Sequence, residues 1–250
     1  MATTDLFSFF NERYAEIEAY LSFLQNVDDA AREGTPRLRR TDAPITAEQK
    51  KILNSSLYLQ LYNLVEATVL RCLEAVVVAV EEAERRPNEL SIDLRKEWVR
   101  SIARTHSDLG PDKRLEAALD LCEKLLQQMP VKGFTIESGG GGNWDDSSIE
   151  KVCGRVGCVL TFSPNVSQAA KRHIRDDMGA LKLVKDRRNG LAHGALSFVD
   201  CSDGVTVVEL KKLATAVGDY LKEAVECFVK FIQFEIANNV EKKEAEEVIV

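Results

Sequence analysis

A chain of 250 residues, 45% of them hydrophobic, has enough apolar mass for one buried core, and no apolar run nears the ~20 residues that a bilayer-spanning helix needs. The formal net charge of −7 argues against a protein that tracks a long polyanion, because affinity for nucleic acid rises with each phosphate neutralised. The start, Met1-Ala-Thr-Thr-Asp-Leu-Phe7, has neither a basic region nor a small-residue cleavage site, so the sequence is read as cytoplasmic with no membrane partner.

Most of the chain reads as helix. Leu6, Phe9, Phe10, Ile17, Leu21 and Leu24 recur at helical spacing and predict a helix from Asp5 to about Ala31; the stretch from Gly34 to Pro44 breaks it as a loop. A second long helix is expected from near Thr46 to about Glu84, with Glu48 in its first turn and Ile52, Leu57, Leu61, Leu64, Val65 and Val69 along it. Its end, Ala75-Val-Val-Val-Ala-Val80, is apolar nearly all round, which suits a helix buried centrally or at a subunit contact. Shorter helices are expected at 91–104 and 112–128. Gly139 to Gly142 reads as a flexible hinge or loop, not a phosphate loop, since no Lys-Ser/Thr follows at Walker spacing.

Asp145-Asp-Ser-Ser-Ile-Glu150 looks like a helix start with an acidic first turn, and a further helix is expected from Asn165. A motif-bearing helix follows over roughly 177–194. Val205-Thr-Val-Val208 is the strand signal, one arm of a hairpin with Ala195–Asp200. The last long helix is placed at 209–240, followed by a charged, frayed tail, 241–250. No internal repeat is present. The whole reads as a single all-α domain over 1–250, with at most one small β-hairpin near 195–208.

The six cysteines (Cys72, Cys122, Cys153, Cys158, Cys201, Cys227) are scattered and read as reduced thiols buried as small apolar side chains. Neither His106 nor His173 has carboxylates in a recognisable ligand pattern, and no metal or cofactor is expected.

The richest stretch is Lys185-Asp-Arg-Arg-Asn-Gly-Leu-Ala-His-Gly194, which holds one of only three histidines. An imidazole moves protons near neutral pH, and a guanidinium clamps phosphate with paired donors. On a helix, Leu181, Val184, Leu191, Ala192 and Ala195 form an apolar stripe with Arg188 in its middle, so that face is expected to border a pocket or another subunit. Asn189 and His193, four residues apart, are placed to hydrogen-bond, which sets the tautomer of the imidazole. Arg188 and His193 are ~140° apart around an ideal helix. Either Gly190 and Gly194 let the helix end deform, or a two-fold partner supplies the second set; the second is preferred. Basic residues concentrate beside the motif: Lys171, Arg172, Arg175, Lys182, Lys185, Arg187 and Arg188, against Asp176, Asp177 and Asp186. That positive field suits a compact site gripping a few phosphates, with the first six as its candidate ligands.

Arg188-Asn-Gly-Leu-Ala-His193 resembles the Arg-x4–6-His signature of the HEPN superfamily (higher eukaryotes and prokaryotes nucleotide-binding). Leu61-Tyr-Asn-Leu-Val-Glu-Ala-Thr68 resembles the first core helix of a prokaryotic branch linked to toxin–antitoxin and defence loci. Gly142-Asn-Trp-Asp145 resembles its linker, and Ala192-His-Gly194 followed by Leu196-Ser-Phe198 also fits. The resemblance spans about 48–235, leaving 1–45 as an N-terminal helix and loop.

It implies an HEPN-like bundle of long antiparallel helices, a face-to-face homodimer, and metal-independent cleavage of single-stranded RNA at the dimer interface. His193 then acts on the 2′-hydroxyl or the leaving oxygen, Arg188 stabilises phosphorane charge, and Asn189 orients them. Glu66 either reaches the site or is a satisfied buried carboxylate. A cognate antitoxin or other partner protein is the expected restraint. The rival class is a non-catalytic HEPN module that binds RNA, a nucleotide or a protein.

Overall fold

The computed structural model describes residues 2–105, 110–137 and 143–237. Nine helices lie within them: α1 (Ala2–Glu33), α2 (Ala47–Glu82), α3 (Ile92–Thr105), α4 (Pro111–Leu126), α5 (Asp146–Val156), α6 (Pro164–Lys171), α7 (Ala180–Ala192), α8 (Phe198–Cys201) and α9 (Val207–Ala237). No strand occurs among the described residues, only two isolated bridges, Arg37 to Pro44 and Arg175 to Met178. The expected glycine hinge at 139–142 and the charged tail lie outside the described residues, as do His106 and the last residues of the helix placed at 209–240.

α2 is the spine. Thr46 caps it reciprocally with Gln49: the threonine hydroxyl accepts from the Gln49 N–H at 3.1 Å, and the Gln49 side-chain oxygen Oε1 accepts from the Thr46 N–H at 2.8 Å. Leu57, Leu61, Leu64, Val65, Val69 and Val76 are buried along it. α1 and α9 pack on α2 and on each other, and α7 and α8 cover the remaining side. α1 buries Leu6, Phe10, Ile17, Leu21 and Leu24, so the helix set apart as an N-terminal extension contributes to the core. Its approach to α9 is close: a Cβ on Gly218 would fall 2.4 Å from the Tyr14 ring.

The expected hairpin over 195–208 is replaced by helix. Ser197 caps α8 by accepting from the Asp200 N–H at 3.1 Å. Thr206 and Glu209 make a second reciprocal cap, with the Glu209 carboxylate accepting from the Thr206 N–H at 2.8 Å. Val207 and Val208 thus open the first turn of α9 behind the Thr206 cap, and capping chemistry outweighs local strand propensity. α8 is fastened to α2 by Ser55, whose hydroxyl donates to the Phe198 carbonyl, and by Ser202, which donates to the Lys51 carbonyl at 2.8 Å.

The motif helix is shorter than expected, 180–192 in place of 177–194. Asp176 and Asp177 take left-handed φ values of 52° and 55°, which an α-helix excludes. Gly179 then brings α7 against the end of α6, where a Cβ would lie 2.6 Å from the Ala170 carbonyl oxygen. All six cysteines are free; Cys72, Cys153, Cys158, Cys201 and Cys227 are buried, whereas Cys122 is exposed.

Candidate functional site

α7 is seated by Leu181, Leu183, Val184 and Leu191, all buried. Ala192 and Ala195, expected on the same stripe, are exposed, because the helix ends at Ala192. Its end is set by two glycines. Gly194 takes φ +70° and donates to the Leu191 carbonyl at 3.3 Å. Gly190 accepts from the Leu196 N–H at 3.0 Å and lets the Leu196 side chain approach so closely that a Cβ there would lie 3.1 Å from it.

Arg188 points from α7 towards α2. Its guanidinium lies over the Tyr62 ring, 4.3 Å from the centroid, and Nη1 donates to Asn189 Oδ1 at 2.8 Å. A permanent charge in a half-buried position is thus met by a π face and a carbonyl oxygen. Tyr62 is fixed in turn by the linker before α5, since its hydroxyl accepts from the Trp144 N–H at 3.1 Å. Burial raises the Tyr62 pKa, keeping the phenol protonated.

The Asn189 amide has its orientation determined by its neighbours. An arginine only donates, so Oδ1 faces Arg188, and Nδ2 donates to Asn143 Oδ1 at 2.9 Å. The expected side-chain bond from Asn189 to His193 is therefore not formed. The two are joined through the backbone, His193 N–H to the Asn189 carbonyl at 3.0 Å, and His193 serves as the C-cap with φ −95° and ψ 3°. Its imidazole is exposed and makes no hydrogen bond or ion pair with the described residues. No hydrogen bond within the chain joins the Arg188 and His193 side chains among the described residues. Glu66, one turn beyond Tyr62 on α2, is half-buried and likewise without a hydrogen bond or ion pair among the described residues, so it is not a satisfied buried carboxylate.

The six candidate phosphate ligands divide into two groups. Lys185 pairs with Asp145; Arg187 pairs with Asp176 and, at 3.7 Å, with Asp186; Arg175 donates to the carbonyls of Asp203 and Gly204, both at 2.9 Å. These three brace the fold around α7. Lys171, Arg172 and Lys182 are exposed and carry no ion pair among the described residues. Asp145 also caps α5, accepting from the Ser148 N–H at 2.9 Å. Burial alone would raise its pKa, but hydrogen bonds from Lys185 and Ser148 outweigh that and hold it at about 2.

Sequence reasoning does not single out Tyr62, Asn143 or Trp144 as site residues. The signal was present: the block from Leu61 to Thr68 and the block from Gly142 to Asp145 both resemble HEPN segments, and the fold brings them against Arg188 and Asn189. Among the described residues no group of three or more His, Cys, Asp or Glu side chains is placed to hold a metal ion, and no helix is long and apolar enough to cross a membrane.

An all-helical bundle that presents an Arg-Asn pair on one helix, with a histidine at that helix's end, is of HEPN type. The family model described as MAE_28990-like HEPN matches residues 2–235, and the chain belongs to that family. The match takes in α1, which the shorter resemblance over 48–235 leaves out. No curated protein and no solved structure matches the chain. Family membership makes it a nucleotide-binding, ribonuclease-like module.

Proposed function

We propose that this protein is a metal-independent endoribonuclease of single-stranded RNA whose site is completed by a second copy, with a toxin or defence role restrained by a cognate partner protein. The observation that carries this reading is the division within one chain. Arg188 is held against Tyr62, while the His193 imidazole stands exposed at the helix end, without a partner among the described residues. A two-fold copy of α7 supplies the histidine that one chain does not bring to its own arginine.

In that cleft an imidazole takes the proton of the ribose 2′-hydroxyl or gives one to the leaving 5′-oxygen. The 2′-oxygen attacks the adjacent phosphorus, the bond to the 5′-oxygen breaks, and the products are a 2′,3′-cyclic phosphate and a 5′-hydroxyl. Arg188 offers its remaining guanidinium donors to the charge that builds on the phosphorane. Asn189 holds the guanidinium's edge and is itself held by Asn143, and Glu66 lies one helical turn from Tyr62. Lys171, Arg172 and Lys182 are the cations available for flanking phosphates. DNA, lacking the 2′-hydroxyl, is not a substrate of this route.

Co-expression of Arg188→Ala and His193→Ala chains tests the composite site. Each variant alone is inactive. In random mixed dimers half the molecules are heterodimers with one intact site of two, so about a quarter of wild-type activity returns. No recovery in verified heterodimers overturns the shared site.

A second reading, a non-catalytic binding module, is favoured by one observation: both ends of the Asn189 amide and one Arg188 donor are already engaged within the chain. It requires a folded protein without turnover that loses RNA binding or dimerisation on Arg188→Ala.

A further inference from the structure

α4 is the one helix among the described residues with no buried side chain. It is nonetheless two-sided. Leu121 and Leu125 pack against the core from one side. Leu115, Leu119, Cys122 and Leu126 fall within roughly 60° of arc at 100° per residue and form a second apolar stripe along its length. That stripe faces solvent: Leu115 is 61% exposed, Leu119 60% and Leu126 85%. Isolated exposed leucines are ordinary, but an aligned row along a helix is the mark of a contact surface.

The edge of the stripe away from the core is acidic. Asp112, Glu116 and Glu123 lie ~60–100° from Leu115 around the axis, all exposed. Glu123 accepts from the Gln127 amide at 2.8 Å, which leaves its charge intact, and Lys124 is paired with Asp120 further round the helix. This edge selects the occupant. An antiparallel second copy would set Glu116 and Glu123 against the same residues of its partner, and like charges across a helix pair are unfavourable. RNA and an anionic bilayer are repelled for the same reason.

We propose that the outer face of α4 docks an amphipathic helix of another protein, one with leucine-like anchors and a lysine- or arginine-lined edge that meets Asp112, Glu116 and Glu123. The surface is separate from the α7 site and does not rest on the ribonuclease reading.

The full chain can be titrated, by fluorescence anisotropy, against two labelled model helices of the same leucine pattern, one with lysine and one with glutamate at the polar positions. The lysine helix is expected to bind and the glutamate helix not. L115N/L119N keeps the charge of the surface and is expected to weaken binding about tenfold or more, with an unchanged far-UV circular dichroism spectrum. E116K/E123K is expected to reverse the preference towards the glutamate helix. Binding that survives L115N/L119N reflects general acidity and overturns the proposal, as does no binding of the lysine helix. Self-association of the wild-type chain that L115N/L119N abolishes assigns the face to a second copy and also overturns it.

Discussion

The guanidinium of Arg188 rests on the ring of Tyr62, and the two residues, on α7 and α2, stand more than a hundred positions apart in the chain. The ring does two separable things. Its face holds the cation, and its hydroxyl accepts from the Trp144 backbone. Tyr62→Phe keeps the first and leaves a buried N–H unpaired, at a cost of about 1–3 kcal/mol. Tyr62→Leu removes both and frees the arginine, with about 1 kcal/mol more lost from the cation–π contact. Chemical denaturation is expected to show both losses. RNA cleavage, compared at saturating substrate, is expected to fall steeply in Tyr62→Leu and little in Tyr62→Phe.

The basic residues around α7 are expected to behave as two classes. Lys171→Ala, Arg172→Ala and Lys182→Ala leave the thermal midpoint unchanged, weaken RNA binding, and each lower the salt dependence by about one phosphate contact. Arg175→Ala, Arg187→Ala and Lys185→Ala lower the thermal midpoint instead, because each leaves anchored carbonyls or carboxylates without their partner. Binding isotherms at several salt concentrations, paired with melting curves, separate the classes.

Asp145 ties the start of α5 to α7. Its folded pKa of about 2 lies below the ordinary 3.8. A depressed carboxylate pKa contributes stability that is fully present above the unfolded value and lost as pH falls through the folded one. The contribution, about 2 kcal/mol at neutral pH, is expected to disappear between about pH 4 and pH 2. Asp145→Asn is expected to lower stability at pH 7 by that order and to flatten this part of the acid-unfolding curve relative to wild type. Parallel curves for the two proteins would contradict the pairing.

Gly179 sets where α7 begins. A methyl group there meets the Ala170 carbonyl oxygen at 2.6 Å, and backbone has little room to yield. Gly179→Ala is expected to cost about 2 kcal/mol and to shift the motif helix, reducing RNA cleavage with it. Melting curves and cleavage rates of the same preparation check both effects.

Much of this fold is legible in the residues themselves. The apolar spacing from Leu57 to Val76 and the polar starts at Thr46 and Asp145 give α2 and the beginning of α5 nearly to the residue, because periodicity and capping are local. The error at Val205–Val208 is also local: three valines around Thr206 suggest a strand unless the Thr206–Glu209 cap is noticed. Arg188, Asn189 and His193 stand out by type and spacing. Tyr62 and Asn143 do not, since their contacts join segments far apart in the chain. The same holds for the phosphate ligands: charge alone marks Arg175, Lys185 and Arg187, and only the fold gives them Asp203, Asp145 and Asp176 as neighbours.

The most direct measurement is cleavage of end-labelled single-stranded RNA in EDTA by wild type and by His193→Ala, with analysis of the end groups. Wild type is expected to leave a 2′,3′-cyclic phosphate and a 5′-hydroxyl, and the folded variant to leave the RNA intact. Equal cleavage by both proteins, or wild-type products ending in a 5′-phosphate, would contradict a site built on Arg188 and His193.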